Sequence, residues 1–452
     1  MTIKTISSSL ACLLLGSSMT IPLALASQEP GAQTDRWNRA ALEWVSFLQT
    51  LDFESAGARV DPAVPEGAMG APQLQTIWSQ LTAQLGALQS VEPGPVLASD
   101  PYHIVDLPAA FANQEVVLRV VLSGDLLVSG FFIRPPAPPA YAAPAYVNAG
   151  AFSEVEVTVG ADPWPLPGVL AIPSGPGPFP GVVLVHGSGP NDRDETIAGN
   201  RPFRDLAWGL ASQGIAVLRY DKRTKAYGGA LPADLGLEEE VVADALLALG
   251  LLRDREEVAP GRVFLLGHSL GAMLAPDIGL RDGRLAGVAV LAAPLRPFLT
   301  VLRSQLEYIA SLEEDPSSLA RAQLDSLLGE VDRVQAGEWG PDESLMGVRL
   351  GYWQELMALD PLDAARRLTA PLFILQGGRD YQSTTEDFRL WENGLAGREG
   401  VRMKLYPNLS HLFTPGEGVV TPEEYTTQVK HVDAEVIRDL SDWILEASSR
   451  GR

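Results

Sequence analysis

The chain has little cysteine and a shortage of positive charge. Cys12, near the N-terminus, is the only cysteine among 452 residues, so the chain beyond it has no disulfide and no cysteine-ligated metal. Its 34 Lys and Arg face 56 Asp and Glu, and the net charge of -22 repels nucleic acids and anionic lipid surfaces. Hydrophobic residues make up 46% and charged residues 20%, which is typical of globular proteins. The composition favours an acidic globular protein that acts on neutral or small molecules.

Long hydrophobic runs are absent after the N-terminus, which itself has the pattern of a secretory signal. Lys4 supplies positive charge, residues 10–15 and 21–25 are apolar, and small residues precede a cleavage point after Ala26. Glycine and proline interrupt the apolar run, which falls short of the roughly 20 residues that a membrane anchor needs. We expect a signal peptide at 1–26, export to the periplasm or the medium, and no membrane insertion of the mature chain.

Residues 27–134 have the pattern of a small α+β domain. Apolar residues recur at helical spacing in two segments and alternate as in strands in three later ones. These segments are 37–51 and 72–88 for the helices, and 102–107, 115–123 and 126–133 for the strands. Gly124-Asp125 joins the last two strands as a hairpin turn. The run 135–144, with five prolines in ten residues, predicts a stiff, extended segment, and we place a Pro- and Ala-rich linker and domain boundary at 135–150.

Residues 151–452 alternate between apolar strands and helical segments. The predicted strands are 155–159, 169–172, 181–186, 215–220, 263–266, 288–291, 372–376 and 401–406. The predicted helices are 202–213, 238–253, 272–279 and 431–447. Such alternation predicts an α/β domain with a mostly parallel, doubly wound sheet. The stretch 296–368 is helical without a clear strand, which predicts an insertion that lies over the sheet edge as a lid or cap.

One predicted strand-to-helix turn carries the strongest chemical signal. Gly267-His268-Ser269-Leu270-Gly271 directly follows an apolar strand and directly precedes a helical segment. A serine on such a sharp turn has a strained backbone, which costs about 1–3 kcal/mol, and the crowding admits only small residues two positions away. The turn lifts the hydroxyl above the carboxyl edge of the sheet, where the next helix directs N–H donors towards it. The pattern predicts Ser269 as the nucleophile of an α/β-hydrolase fold.

A serine nucleophile needs a base and an acid that orients the base, and in this fold they follow in the order Ser, Asp or Glu, His. Asp380 and His411 each lie just after a later predicted strand. Of the five histidines, only His411 and His431 follow Asp380, and His431 opens a predicted surface helix, where a solvated or capping role fits better. We therefore predict Ser269, Asp380 and His411 as catalytic residues, with Asp387 as the alternative acid.

The negative oxygen that forms during acyl transfer needs two N–H donors, and removing one costs about 2.7–4 kcal/mol. We expect these donors to be the backbone N–H of Leu270, next to the nucleophile, and that of Ser188, in a glycine-rich loop after a buried strand. The charged stretches 191–195 and 220–223 follow adjacent predicted strands, so we expect ion pairs that hold this loop rather than a substrate clamp. We expect neither a cofactor nor a metal ion.

Four motifs together resemble those of EstD-type bacterial carboxylesterases. They are the elbow 267–271, His186-Gly187-Ser188-Gly189-Pro190-Asn191-Asp192-Arg193-Asp194-Glu195, Pro202-Phe203-Arg204-Asp205-Leu206-Ala207 and Tyr220-Asp221-Lys222-Arg223-Thr224. The likeness runs from about Glu154 to the C-terminus, and the region before the linker resembles a small bacterial domain of unknown function. The resemblance implies activity on short-chain esters, with Ser269, Asp380 and His411 at the family's catalytic positions.

These residues leave the scissile bond open. We expect a serine carboxylesterase that hydrolyses small or short-chain carboxylic esters through an acyl-enzyme intermediate. A peptidase of the prolyl-oligopeptidase kind or an acyl-CoA thioesterase would use the same three residues. No propeller repeat precedes the catalytic domain, and acidic charge with export fits poorly with an anionic cytosolic thioester. A binding protein that kept the fold and lost the reaction is an alternative of a different class.

Overall fold

A computed structural model describes residues 31–65, 67–134, 136, 141–313, 315–316, 318–340 and 343–450. The predicted signal peptide, 1–26, and Cys12 lie outside these residues. Contacts between Cα atoms divide the chain into two units, and the boundary at 138–139 falls within the predicted linker. In the described ranges, no helix has both the length and the apolar character needed to cross a membrane.

In its described residues, the first unit combines three helices with an antiparallel sheet. Its helices are α1 (Gly31–Gln49), α2 (Phe53–Ala58) and α3 (Ala71–Leu85), and its strands are β1 (Leu88–Val91), β2 (Val96–Ser99), β3 (Tyr102–Phe111), β4 (Glu115–Leu122) and β5 (Val128–Arg134). The sheet order is β1-β3-β4-β5, and β2 also pairs with β3. Trp37, Trp44 and Trp78 on the helices share a buried core with Leu107 and Leu118 of the sheet. Of these elements, α2, β1 and β2 were not predicted from the sequence.

The second unit is a three-layer α/β structure, and every strand and helix predicted for it is present. Its strands are β6 (Phe152–Val159), β7 (Leu166–Pro173), β8 (Phe179–Val185), β9 (Ala216–Tyr220), β10 (Val258–His268), β11 (Gly287–Leu291), β12 (Ser344–Leu345), β13 (Val348–Arg349), β14 (Leu372–Gly377) and β15 (Val401–Tyr406). Its helices are α4 (Pro202–Ala211), α5 (Arg223–Tyr227), α6 (Ala243–Arg253), α7 (Leu270–Asp282), α8 (Phe298–Leu312), α9 (Leu319–Gln335), α10 (Leu350–Ala358), α11 (Pro361–Arg367), α12 (Thr385–Gly394), α13 (Pro422–Thr427) and α14 (Ala434–Arg450).

The main sheet has eight strands in the order β15-β14-β11-β10-β8-β9-β7-β6. All neighbours pair in parallel except β6 with β7 and β7 with β9. Helices α4 and α14 cover one face, and α6 and α7 cover the other. The central strands are therefore buried on both sides, which explains their uninterrupted apolar sequences. Because parallel strands end together, the segments that follow them meet at one edge.

The insertion predicted at 296–368 lies between β11 and β14 and comprises α8 to α11 with β12 and β13. The expectation that it contains no strand is wrong, because β12 and β13 form a small antiparallel hairpin. Helix α8 packs on the loop after β14: Gln305 Nε2 donates to the carbonyl of Gln382 at 2.9 Å, and Tyr308 stacks on Tyr381 with centroids 4.8 Å apart. The insertion is thus anchored beside the segment that carries Asp380.

The second half of the predicted linker, 141–150, is part of the second unit. Tyr141 Oη donates to Asp205 Oδ1 at 2.5 Å, and the backbone N–H of Asn148 donates to Ser212 Oγ at 2.9 Å. Tyr146 packs against the core formed under α4 and α14. The expectation of a linker over all of 135–150 is therefore wrong for its aromatic second half, which gains buried surface by packing.

Candidate active site

Ser269 lies on the turn between β10 and α7. Its φ of 52° and ψ of -115° place a non-glycine residue in a strained region of backbone space. A Cβ added to Gly267 would lie 2.3 Å from the carbonyl oxygen of Gly271, and one added to Gly271 would lie 2.3 Å from that of Val185. Both flanking positions therefore require glycine, and the turn places a half-buried Ser269 at the carboxyl end of the central strands.

Asp380 and His411 form a buried hydrogen-bonded pair. His411 Nδ1 lies 2.7 Å from Asp380 Oδ2, and Asp380 Oδ1 accepts the backbone N–H groups of Gln382 and Ser383 at 2.7 and 3.0 Å. Gln376 Nε2 also donates to Oδ2, at 3.1 Å. Because an ionised carboxylate only accepts hydrogen bonds, the proton of a neutral His411 lies on Nδ1. That tautomer leaves Nε2 able to take a proton from a nucleophile.

Close backbone packing brings the loops of the acid, base and nucleophile together. A Cβ on Gly377 would lie 2.4 Å from the carbonyl oxygen of Ser410, so glycine is needed where the acid loop passes the base loop. His268 Nε2 lies 3.0 Å from the carbonyl oxygen of His411, and the two rings are 4.7 Å apart. Since His268 directly precedes Ser269, the elbow contacts the loop that carries the predicted base.

The predicted oxyanion donors lie on the two segments that flank the elbow. Ser188 follows β8 on an exposed loop, and Leu270 is the first residue of α7. Across the described residues, neither backbone N–H donates to a protein acceptor. The neighbouring N–H of Gly187 is occupied, because it donates to Glu195 Oε1 at 2.6 Å. Two unengaged donors near Ser269 are what stabilisation of a tetrahedral intermediate needs.

The charged stretches after β8 and β9 pair as the sequence predicted. Arg193 binds both oxygens of Asp221 through Nε and Nη2, at 2.9 and 3.0 Å, and its backbone N–H donates to Oδ1 at 2.8 Å. Arg219 Nε donates to Asp194 Oδ1 at 2.8 Å, and Arg204 reaches the other oxygen of Asp194 at 2.6 Å. These contacts join the two loops to each other and hold the segment that contains Ser188.

The other candidate residues have different surroundings. His186 packs against Phe203 and Tyr220, and burial lowers its pKa to about 4, so it is neutral above that pH. Asp387 lies in the capping box of α12 and accepts from Leu295 N–H, Arg296 N–H and the Arg296 guanidinium, so it is not the partner of His411.

The expectation for His431 is wrong. Its Nδ1 lies 3.0 Å from Asp205 Oδ1, and the last helix begins at Ala434. A half-buried contact with a carboxylate thus replaces the solvated or capping role. Among the residues that the structure describes, no group of three or more His, Cys, Asp or Glu is placed to hold a metal ion.

Glu195 and Lys222 are contributors to the site that sequence reasoning did not single out. Each is 2% exposed, and both contact Gly187: Glu195 accepts its N–H, and Lys222 Nζ donates to its carbonyl oxygen at 3.1 Å. Their positions within the two charged motifs were the available signal. The sequence did not indicate that they are buried, because charged residues are mostly exposed and are buried only when they are paired.

Comparison with known proteins places this architecture in a family. A family model described as "Alpha/beta hydrolase family" matches residues 182–422, more than half of the chain. The chain therefore belongs to the α/β-hydrolase family. Esterase EstD of Thermotoga maritima is 38% identical over 410 residues, which cover 91% of this chain and 96% of that protein. Within the family, the chain is an EstD-type esterase, a carboxylic ester hydrolase.

The match to EstD is longer than the segment from Glu154 to the C-terminus, so the likeness extends further towards the N-terminus than the motifs indicated. An uncharacterized protein of Mycobacterium tuberculosis is 32% identical over 150 residues, 30% of this chain and 47% of that protein. Among solved structures, Est1E from Butyrivibrio proteoclasticus is 15% identical, with a TM-score of 0.43, over 65% of this chain and 99% of that one.

Proposed function

We propose that the protein hydrolyses small or short-chain carboxylic esters through an acyl-enzyme on Ser269, with His411 as the base and Asp380 as the acid that orients it. The observation that carries the proposal is the 2.7 Å contact between His411 Nδ1 and Asp380 Oδ2. It lies beside a strained serine elbow whose His268 contacts the carbonyl of His411. This is the arrangement that activates a serine hydroxyl.

The reaction follows from the hydrogen-bond directions. Asp380 keeps the proton of the imidazole on Nδ1, so Nε2 takes the proton of Ser269 as Oγ attacks the ester carbonyl. The imidazolium returns this proton to the leaving alcohol, and Ser269 Oγ then carries the acyl group as an ester. Water activated by the same Nε2 attacks that ester, which releases the carboxylic acid and restores the hydroxyl of Ser269.

The backbone N–H groups of Ser188 and Leu270 stabilise the negative oxygen in both steps. Each such donor is worth about 2.7–4 kcal/mol, because it acts on charge that is present only in the transition state and intermediate. The positive N-terminal end of α7 adds a favourable potential at the same point. The unengaged state of both N–H groups supports this assignment.

The preference for small, neutral esters is supported by the kinship with an esterase and by the net charge of -22, which disfavours anionic thioesters. We further propose that the protein is exported to the periplasm or the medium. The basic, apolar and small-residue order of residues 1–26 supports export. A substrate panel that includes a peptide and a thioester tests whether the protein cleaves those bonds as well.

Reaction with a fluorophosphonate probe, followed by peptide mapping, tests the proposed nucleophile. We expect one covalent adduct, on Ser269. A parallel panel of p-nitrophenyl acetate to octanoate, an aminoacyl-proline peptide and an acyl-CoA tests the bond type. An unlabelled Ser269, or faster turnover of the peptide or thioester than of any ester, would contradict the proposal.

A further inference from the structure

One buried carboxylate lies where three segments of the site meet. Glu195 Oε1 accepts the N–H of Gly187 at 2.6 Å, and Glu195 Oε2 lies 3.0 Å from His268 Nδ1. The other ring nitrogen of His268 contacts the carbonyl oxygen of His411 at 3.0 Å. A continuous chain of contacts thus runs from residues 186–190, the proposed oxyanion loop, through His268 to His411, the proposed base.

We propose that Glu195 and His268 form a positioning dyad, which holds the oxyanion loop, the nucleophile elbow and the base loop at fixed distances from one another. The inference rests on the proposed function, since it assigns a role in the same reaction. Neither side chain is assigned contact with substrate. Glu195 acts through the peptide of Gly187, and His268 acts through its backbone link to Ser269 and its contact with His411.

The charges of the pair support the geometry. Burial alone would lower the pKa of His268, but the Glu195 carboxylate raises it above the usual value. Burial would raise the pKa of Glu195, but His268 and the N–H of Gly187 lower it. The opposite shifts fit a carboxylate and an imidazolium that stabilise each other. Mutual stabilisation is needed, because isolated charges are costly to bury.

The pair borders a cavity that is otherwise apolar. A small cavity on the far side of Glu195 and His268 is lined otherwise by apolar side chains, among them Phe203, Leu206 and Phe413. If Glu195 is removed, the N–H of Gly187 loses a buried acceptor and His268 loses its counter-charge. No other polar side chain lines that space to replace it.

Gly187 is held at both of its backbone polar groups, and this fixes the next N–H group. Its N–H is bound by Glu195, while its carbonyl accepts Lys222 Nζ at 3.1 Å and Asn191 Nδ2 at 3.1 Å. The carbonyl of Gly187 and the N–H of Ser188 belong to the same planar peptide group, so fixing Gly187 sets the direction of the Ser188 N–H. Small displacements of such donors matter, because a shift of about 1 Å in an active site can cost on the order of 10²-fold in rate.

Three substitutions of Glu195 separate length from charge. Glu195→Gln keeps the length and an acceptor for Gly187 while losing the charge; Glu195→Asp keeps the charge but withdraws both oxygens by one methylene; Glu195→Ala loses both. A positioning role predicts that kcat for p-nitrophenyl butyrate falls about 10²-fold in the Ala variant, the scale of losing one oxyanion donor. We expect the Asp variant to lose more than tenfold and the Gln variant less than tenfold. KM should change by less than about threefold in all three.

A matched control lies at the other end of α7. Asp282 pairs with Arg253 through contacts of 2.6 and 2.8 Å, and its side chain is 3% exposed, so Asp282→Ala also breaks an enclosed ion pair. It lies away from the nucleophile end of the helix. We expect Asp282→Ala to lower the melting temperature while its kcat remains within about twofold of wild type.

The outcomes separate this inference from the proposed function. A wild-type protein that the fluorophosphonate fails to label at Ser269 would refute the proposed function. A labelled wild type with a Glu195→Asp variant of unchanged kcat would overturn only the dyad, as would a Gln variant that loses more kcat than Asp or a loss confined to KM. The Gln and Asp variants carry the test even if Glu195→Ala does not fold.

Discussion

Lys222 Nζ and Glu240 Oε1 form a buried ion pair, 3.1 Å apart, that connects the oxyanion loop to the insertion. Lys222 binds the carbonyl of Gly187, and the second oxygen of Glu240 accepts the hydroxyl of Tyr352, on α10, at 2.5 Å. The same buried set of polar contacts therefore holds both the insertion and the oxyanion loop in position.

Lys222→Met should destabilise the protein strongly. Glu240 is only 6% exposed, and the change leaves it without its cation. Breaking such a buried pair costs about 3–5 kcal/mol. Urea unfolding followed by circular dichroism measures the loss. Arg281→Met is the control: it breaks exposed pairs with Glu238 and Asp277, each of which is expected to contribute about 0–1 kcal/mol. Equal losses in the two variants would contradict a buried role for Lys222.

Ser269→Gly and Ser269→Ala should both abolish ester hydrolysis and yet differ in stability. Neither has a nucleophile, but glycine adopts a φ of 52° with a ψ of -115° far more readily than alanine does. We expect the Gly variant to exceed the Ala variant by roughly 1 kcal/mol in unfolding free energy, within the usual range for such backbone strain. Calorimetry compares the two variants, and an Ala variant that melts higher would argue against a strained elbow.

Asp380→Asn should lower kcat by about 10⁴-fold, because an amide favours the wrong tautomer of the imidazole. The side chain of Asp380 accepts four hydrogen bonds, so the substitution also tests how far these bonds hold the surrounding loop. Asp387→Asn is the matched control, since Asp387 pairs with Arg296 and not with His411. It should reduce stability and keep kcat within a fewfold of wild type. Comparable kcat losses would reopen the choice between the two acids.

Stability should decrease as the pH falls from about 6.5 towards 4, in part because of His186. Burial lowers its pKa from 6.5 in the unfolded chain to about 4 in the folded one. Between these values the unfolded state binds more protons, so acid favours unfolding. The contribution is on the order of 3 kcal/mol at most. Urea midpoints at pH 7 and pH 5 should differ less for His186→Leu than for wild type, and an equal pH dependence would refute this origin.

The elbow, Asp380 and His411 were accessible from sequence because each is defined locally. A buried strand, a tight turn and a small-residue requirement are all encoded within about ten residues of one another, as at Gly267 and Gly271. The order of the three proposed catalytic side chains then follows from the fold. Long, strongly apolar strands such as β10 give the clearest patterns of this kind.

Features that depend on distant partners were not accessible. Strands β12 and β13 have two residues each, too few for an alternating pattern, and they exist because they pair with each other. Asp205 binds both Tyr141 and His431, residues far apart in the sequence, so neither the end of the linker nor the pairing of His431 could be inferred from local spacing. The same holds for the contact of Glu195 with His268.

The backbone contacts of Gly267 and Gly271 fix the turn without any help from the hydroxyl that it presents. The carbonyl oxygens of Gly271 and Val185 lie so close to these two glycines that the backbone path of the turn does not depend on the side chain of residue 269. A thiol introduced there would extend from the same backbone position as the native hydroxyl. Redesign of this scaffold can consequently exchange the reactive atom and leave the turn that supports it untouched.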